Sequence, residues 1–372
     1  MKKLKHKIIL SFLGLCGLFQ TGHSQTFGLK AISVSDSSII TKDLRTFDSL
    51  WYKCLIHYGK NDISNLFADT SPSVSKTNPI TLLNFINGID VPLCNVFEFK
   101  LVNKQVLNDS IILYQLDIGW LQFVIPFNRN KHKLLRFESI NLFDLNKYQF
   151  KNLTVYSKNK INKKEFVLLF KTINQTAEEL GINVDSFFAK EYVIYSGSTL
   201  KESYSYVGGL EYVNYFNKGS IFGGMGDPYN NVVLSGIPKP IHVHELLHFV
   251  IKFPCNNFIG EGLASYYGGI GSKSYTENLG QVLEIIKSKE IHNFSEINNL
   301  WMHDNAFNSL RGSYVLAAFM LSQLKKDFNN EIYRKFVRQC RTDQEMIANL
   351  KILYNVDSEK LLFDKLFYTH FK

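Results

Sequence analysis

The stretch His242-Val243-His244-Glu245-Leu246-Leu247-His248 carries the most definite chemistry in this chain, together with Glu261, which lies thirteen residues beyond His248 within Gly260-Glu261-Gly262-Leu263-Ala264-Ser265-Tyr266. His244 and His248 are four apart, so on a helix they share a face and offer two imidazole nitrogens to one metal ion. Glu245 stands beside them as a base. Zinc (Zn2+) bound for catalysis takes three protein ligands and keeps one position open for water; Glu261 is the natural third ligand. His242 is two residues from His244, so it falls on another face and is expected to be a surface or cap residue. Cys255, just past the helix end, is expected to pack as a small hydrophobe rather than to bind the metal.

This pair of segments resembles the gluzincins, the zinc metallopeptidases related to thermolysin and to the large zinc aminopeptidases. In detail the likeness covers about twenty-five residues, and in general organisation residues 150 to 372. It implies that His244, His248 and Glu261 bind zinc and that Glu245 activates water. The connection from His248 to Glu261 is shorter than in the best-known members, so Glu261 must come from the first turn of a second helix after a tight reversal. Pro254 and the pair Asn256-Asn257 supply the stop and the turn that this needs. Ser265, one turn beyond Glu261 on the same face, is the candidate to support a ligand by a hydrogen bond.

The implied activity is hydrolysis of peptide bonds in a peptide or protein substrate by zinc-activated water, with Glu245 as general base. A further donor must stabilise the oxyanion. The segment Ser309-Leu310-Arg311-Gly312-Ser313-Tyr314 resembles a later helix of the aminopeptidase branch, but Ser309 stands where that branch has tyrosine. Tyr314 and His303 are therefore the alternatives. Gly223-Gly224-Met225-Gly226 lacks the acidic residue of the aminopeptidase amine-binding motif, which tilts the expectation towards endopeptidase action. Two rival readings share these residues: a non-enzymatic binding protein that retains a peptidase fold, and a zinc hydrolase of a non-peptide substrate.

The positioning elements are those of an α+β protein. Residues 1–25 read as a secretory signal peptide: four lysines before position 8, a twelve-residue apolar run from Ile8 to Phe19, and small residues before a cleavage point near Ser24 or Gln25. The expected location is secreted or periplasmic. Leu15 argues against lipidation at Cys16, where a small residue is needed. No run is long enough for a stable membrane span. Loss of the four lysines lowers the formal charge from +9 to +5, spread without a basic run, so a nucleic-acid partner is not expected. The abundance of Lys, Asn, Ile, Phe and Tyr fits a bacterial source. The remaining cysteines, Cys54, Cys94, Cys255 and Cys340, are too sparse for a disulfide framework. Nothing in the chain bears on oligomeric state.

Two domains are expected, 26–148 of unknown role and 149–372 carrying the site. In the first, Leu44 to His57 reads as helix, and Asn95–Leu107 and Ser110–Phe127 as strands, followed by a turn at Asn128-Arg129-Asn130 and a run Lys133–Phe143. In the second, strands are expected at Leu153–Tyr156, Tyr192–Tyr195, Tyr204–Val207 and Asn231–Leu234, with a helix Lys164–Leu180 stopped by Gly181. Gly223–Gly226 reads as a hairpin turn. The resemblance implies that Asn231–Leu234 is the edge strand that pairs with extended substrate. Pro238 and Pro240 precede the metal helix, Ile241–Ile251, and helices follow at Asn278–Lys289, Ser313–Phe328, Glu331–Cys340, Asp343–Leu353 and Ser358–Phe367. A small mixed sheet, a zinc-binding helix and a helical C-terminal half together resemble the gluzincin, or zincin-type, architecture.

Overall fold

The computed structural model describes residues 29–57, 66–67, 98–119, 121–135, 144–212, 223–227, 231–237, 239 and 241–369. The expected signal peptide, Cys16, Cys94, Pro238 and Pro240 lie outside the described residues, as does most of Lys133–Phe143. The chain is a mixed α/β protein, compatible with an α+β class, with two mixed sheets and about half its length helical. Among the described residues no helix is long and apolar enough to cross a membrane.

Two compact units are present. Of the described residues, the smaller holds 29–57, 66–67, 98–119 and 125–135. Its strands are β1 (Ile32–Ser33), β2 (Phe99–Asn108), β3 (Ile111–Asp117), the latter part of β4 (Leu121–Asn128) and β5 (Lys133–Leu134), in that spatial order. The expected run Ser110–Phe127 is thus two strands, broken by Gly119 at φ +89. The helix Lys42–His57 buries Phe47 and Trp51, which stack on Tyr114 at 4.2 Å and meet Phe99 edge-on at 5.7 Å. Asp48 is buried in this helix, yet its carboxylate accepts from the backbone N–H groups of Lys30, Ala31 and Ile32, which offsets its desolvation.

In the larger unit the sheet runs β10 (Gly224–Asp227), β11 (Val232–Ser235), β8 (Tyr192–Ser196), β7 (Leu153–Ser157), β6 (Asn146–Phe150), with β11, β8 and β7 parallel and both outer strands antiparallel. The strand β9 (Gly209–Tyr212) pairs with residues 121–123 of β4. Two expectations are corrected here. The Asn231–Leu234 segment forms β11, one strand in from the edge, and the glycine-rich segment read as a turn is itself the outer strand β10. A third concerns Tyr204–Val207, which ends a helix, Leu200–Ser205, rather than forming a strand. Thr199 caps that helix by accepting from Glu202 N–H, while the Glu202 carboxylate accepts from Ser198 N–H.

The helix Lys163–Leu180 places Phe166, Leu169, Phe170 and Ile173 in the main core, beside Val155 and Ile194 of the sheet. Gly181 terminates it at φ +63, and Arg334 and Arg338 donate to its last carbonyls, Glu178 to Gly181, as cations suit a helix C-terminus. The C-terminal half is helical: Tyr275–Ser288, Phe294–His303, Asn305–Ser309, Gly312–Asp327, Asn330–Gln339, Asp343–Tyr354 and Glu359–Phe363, with a π-turn at Asp364–Tyr368. Gly312–Asp327 is apolar on nearly all sides, and nine of its residues are buried, so it serves as the hub on which the site-bearing helices pack. Phe294–His303 and Asn305–Ser309 were not expected. Their starts carry Asn293 and Asp304 as N-caps.

Candidate metal centre

The motif helix runs Val243–Val250, and its apolar residues Leu246, Leu247, Phe249 and Val250 bury it in the core. Ile251 ends the helix and the chain reverses to Asn256, whose side chain accepts from Ile259 N–H to start the next helix, Asn257–Gly268. The tight reversal is therefore present. Glu261 sits on the second turn of that helix rather than the first, because the helix begins at Asn257.

This arrangement brings three electron-pair donors together. His244 Nε2 is 3.1 Å from Glu261 Oε2, His248 Nε2 is 3.5 Å from the same oxygen, and the two imidazole nitrogens are 3.3 Å apart. His244 Nδ1 lies 3.1 Å from the Gly269 carbonyl oxygen, which can only accept, so Nδ1 carries the proton and Nε2 turns its lone pair towards the other two. Three such groups converging at these distances repel one another unless a metal ion or a shared proton lies among them. Ligands about 2.0 to 2.1 Å from a tetrahedral ion are separated by about 3.3 Å, so these spacings suit a zinc-sized ion. The three residues are the one such His/Cys/Asp/Glu cluster among the described residues; Cys255 is not part of it.

Electrostatics follow from the shared burial. Burial opposes ionisation of Glu261, but the adjoining imidazoles of His244 and His248 outweigh it and hold the carboxyl well below the usual range. Burial would depress His248; Glu261, by hydrogen bond and charge, and Glu245, by charge, push it up to about 9. The Glu245 carboxyl is raised by burial against the pull of both histidines.

Glu245, His244, His248, Glu261 and Tyr314 line one cavity of about 740 Å³. Of the two expected oxyanion donors, Tyr314 is in this cavity, its ring stacked on His244 at 5.9 Å and 18°, while His303 is exposed and does not line it. Burial keeps the Tyr314 hydroxyl protonated. Ser265 is fully buried, but its hydroxyl makes no hydrogen bond among the described residues. The orienting partner is instead the Gly269 carbonyl. Gly268 permits it, since a Cβ there would lie 2.8 Å from His244 N.

His242 corrects another expectation. It caps the helix start but is buried rather than at the surface, with burial keeping it neutral. Its ring and the Glu245 side chain press on β10: a Cβ on Gly224 would fall 2.4 Å from His242 Nδ1 and 2.8 Å from Glu245 Cγ. The glycines of the outer strand are therefore what lets it lie on the motif helix. Arg311, which was not singled out as a site residue, also lines the cavity and feels the charges of Glu261 and Glu245.

No protein-family model matches this chain, and neither a curated protein nor a solved structure matches it.

Proposed function

We propose that the protein is a zinc-dependent hydrolase of peptide bonds with a gluzincin-type site. The observation that carries this reading is the convergence of His244 Nε2, His248 Nε2 and a Glu261 oxygen at 3.1 to 3.5 Å, in a cavity that also holds the Glu245 carboxylate. His244, His248 and Glu261 would hold the metal, and zinc supplies Lewis acidity towards water and a peptide carbonyl. Glu245 takes the proton from the attacking water and returns it to the leaving amine. Tyr314 donates its hydroxyl hydrogen to the developing oxyanion. The outer strand β10 receives the extended substrate by main-chain pairing, a mode that gives affinity without strong sequence preference.

The test is cleavage of a peptide library by the zinc-loaded protein before and after removal of the metal by a chelator. Cleavage that vanishes on chelation and returns with zinc is the expected result. A protein that keeps its zinc but cuts no peptide would point to the binding-protein or non-peptide reading.

A further inference from the structure

We infer that Cys255 and Cys340 are a redox-closed pair, which a small disulfide donor such as oxidised glutathione joins in a bridge. The bridge ties the start of the Glu261 helix to the C-terminal helices. It stands independently of the hydrolase reading.

The two residues are far apart in sequence but flank one backbone hydrogen bond. Asn256 N–H donates to the Cys340 carbonyl at 3.0 Å. A carbonyl bonded to the N–H of the residue just after its partner is the bond that joins neighbours in parallel strands, which run about 4.8 Å apart. The backbone is extended on both sides of it, with Cys340 at φ −86 and ψ 96 and Asn256 at φ −70 and ψ 159. A disulfide takes Cα atoms about 4.4 to 6.8 Å apart, so this pairing brings the two cysteines within its range. Asn256 cannot slide out of register. Its Nδ2 donates to Asp343 Oδ1 at 3.0 Å, and its Oδ1 accepts from Ile259 N–H at 2.8 Å. Cys340 belongs to the main core, and Cys255 packs against that core from outside. Both are free thiols in this structure. They feel one another's charge, because ionisation of Cys255 opposes that of Cys340.

Access sets the order of the reaction. Cys255 is half-buried and Cys340 fully buried, so a bulky donor meets Cys255 first. The Cys255 thiolate attacks one sulfur of the donor and releases the first glutathione as a thiol. The Cys340 thiolate then attacks the Cys255 sulfur and releases the second. Two protein thiols lose two electrons and two protons, and both pass to the two glutathione thiols. Burial pushes both thiols up to about 11, so at neutral pH only on the order of one in ten thousand is ionised and closure is slow. The bridge closes a long loop and pins the residue that caps the Glu261 helix, so it stabilises the fold around the histidines.

The experiment incubates native, zinc-loaded full-length protein with oxidised glutathione, blocks the remaining thiols by alkylation, and maps the digest by mass spectrometry without reduction. The expected main product is a Cys255 peptide linked to a Cys340 peptide, with the intact chain lighter by two hydrogen atoms and carrying no glutathione. Dithiothreitol should reverse it. The rate of closure should rise about tenfold from pH 7 to pH 8, following the thiolate fraction. The bridged protein should melt several degrees above the reduced protein. Cys340→Ala should stop at a glutathione adduct on Cys255. A wild-type chain that keeps this adduct, that remains unmodified in excess donor, or that links either residue to Cys54 or Cys94 instead would overturn the inference. So would a bridge that forms only in denaturant. Peptide cleavage plays no part in these readouts, so failure of the hydrolase reading leaves their outcome unchanged.

Discussion

Glu245→Gln should keep its zinc and lose turnover by on the order of a thousandfold, the middle of the range for a positioned general base. The substitution preserves shape, which matters here because the Glu245 Cγ leaves no room for a Cβ on Gly224 of the outer strand. It also leaves His244, His248 and Glu261 in place. What disappears is a carboxyl able to accept a proton from water and donate it to the leaving amine. The check is kcat/KM on the best library peptide beside metal content per chain. Normal turnover by this variant would remove Glu245 from the mechanism, and loss of the metal would mean that Glu245 acts as a ligand.

His248→Ala should lower zinc affinity by more than about a hundredfold, since losing even an outer partner of a ligand costs 10- to 100-fold. Glu261→Ala should do the same. His248 is the cleaner of the two histidines to test, because its side chain is 33% exposed against 7% for His244. His244 also anchors the Gly269 turn and carries the Tyr314 stack, so its removal disturbs folding as well as ligation. Competition with a chromophoric chelator measures the affinities, with Cys255→Ala as the control expected to behave like wild type. Affinity lost with Cys255 and retained without Glu261 would reassign the third ligand.

What could be read in the amino-acid order was what depends on short spacing. His244, Glu245 and His248 are set by helical geometry, Glu261 follows within a span of eighteen residues, and the structure brings the two histidines and Glu261 together. The helix Lys163–Leu180 and its Gly181 stop, and most of the C-terminal helices, follow from apolar periodicity and caps. What escaped depends on neighbours distant in sequence. Gly223–Gly226 has turn composition, yet Gly224–Asp227 pairs with β11 as the outer strand, and glycine is needed at 224 because His242 and Glu245 leave no room for a Cβ there. His242 was assigned by helical face, but at φ −89 and ψ 89 it is not yet helical, so that argument did not apply to it. The support of His244 by a backbone carbonyl has no side-chain signature, and Ser265, one turn beyond Glu261 on the same face, makes no hydrogen bond among the described residues. Arg311 reaches the cavity through a left-handed backbone and a Trp301 stack, neither visible in spacing.

On the proposed reading, this chain holds one zinc ion between His244, His248 and Glu261. Anomalous diffraction at the zinc absorption edge, from crystals of the wild-type protein grown with zinc, tests it most directly. The expected result is a single strong peak, about 2.0 to 2.2 Å from His244 Nε2, His248 Nε2 and a Glu261 oxygen, with Glu245 outside ligand distance. A peak elsewhere, or none at these three residues with zinc present in excess, would contradict it.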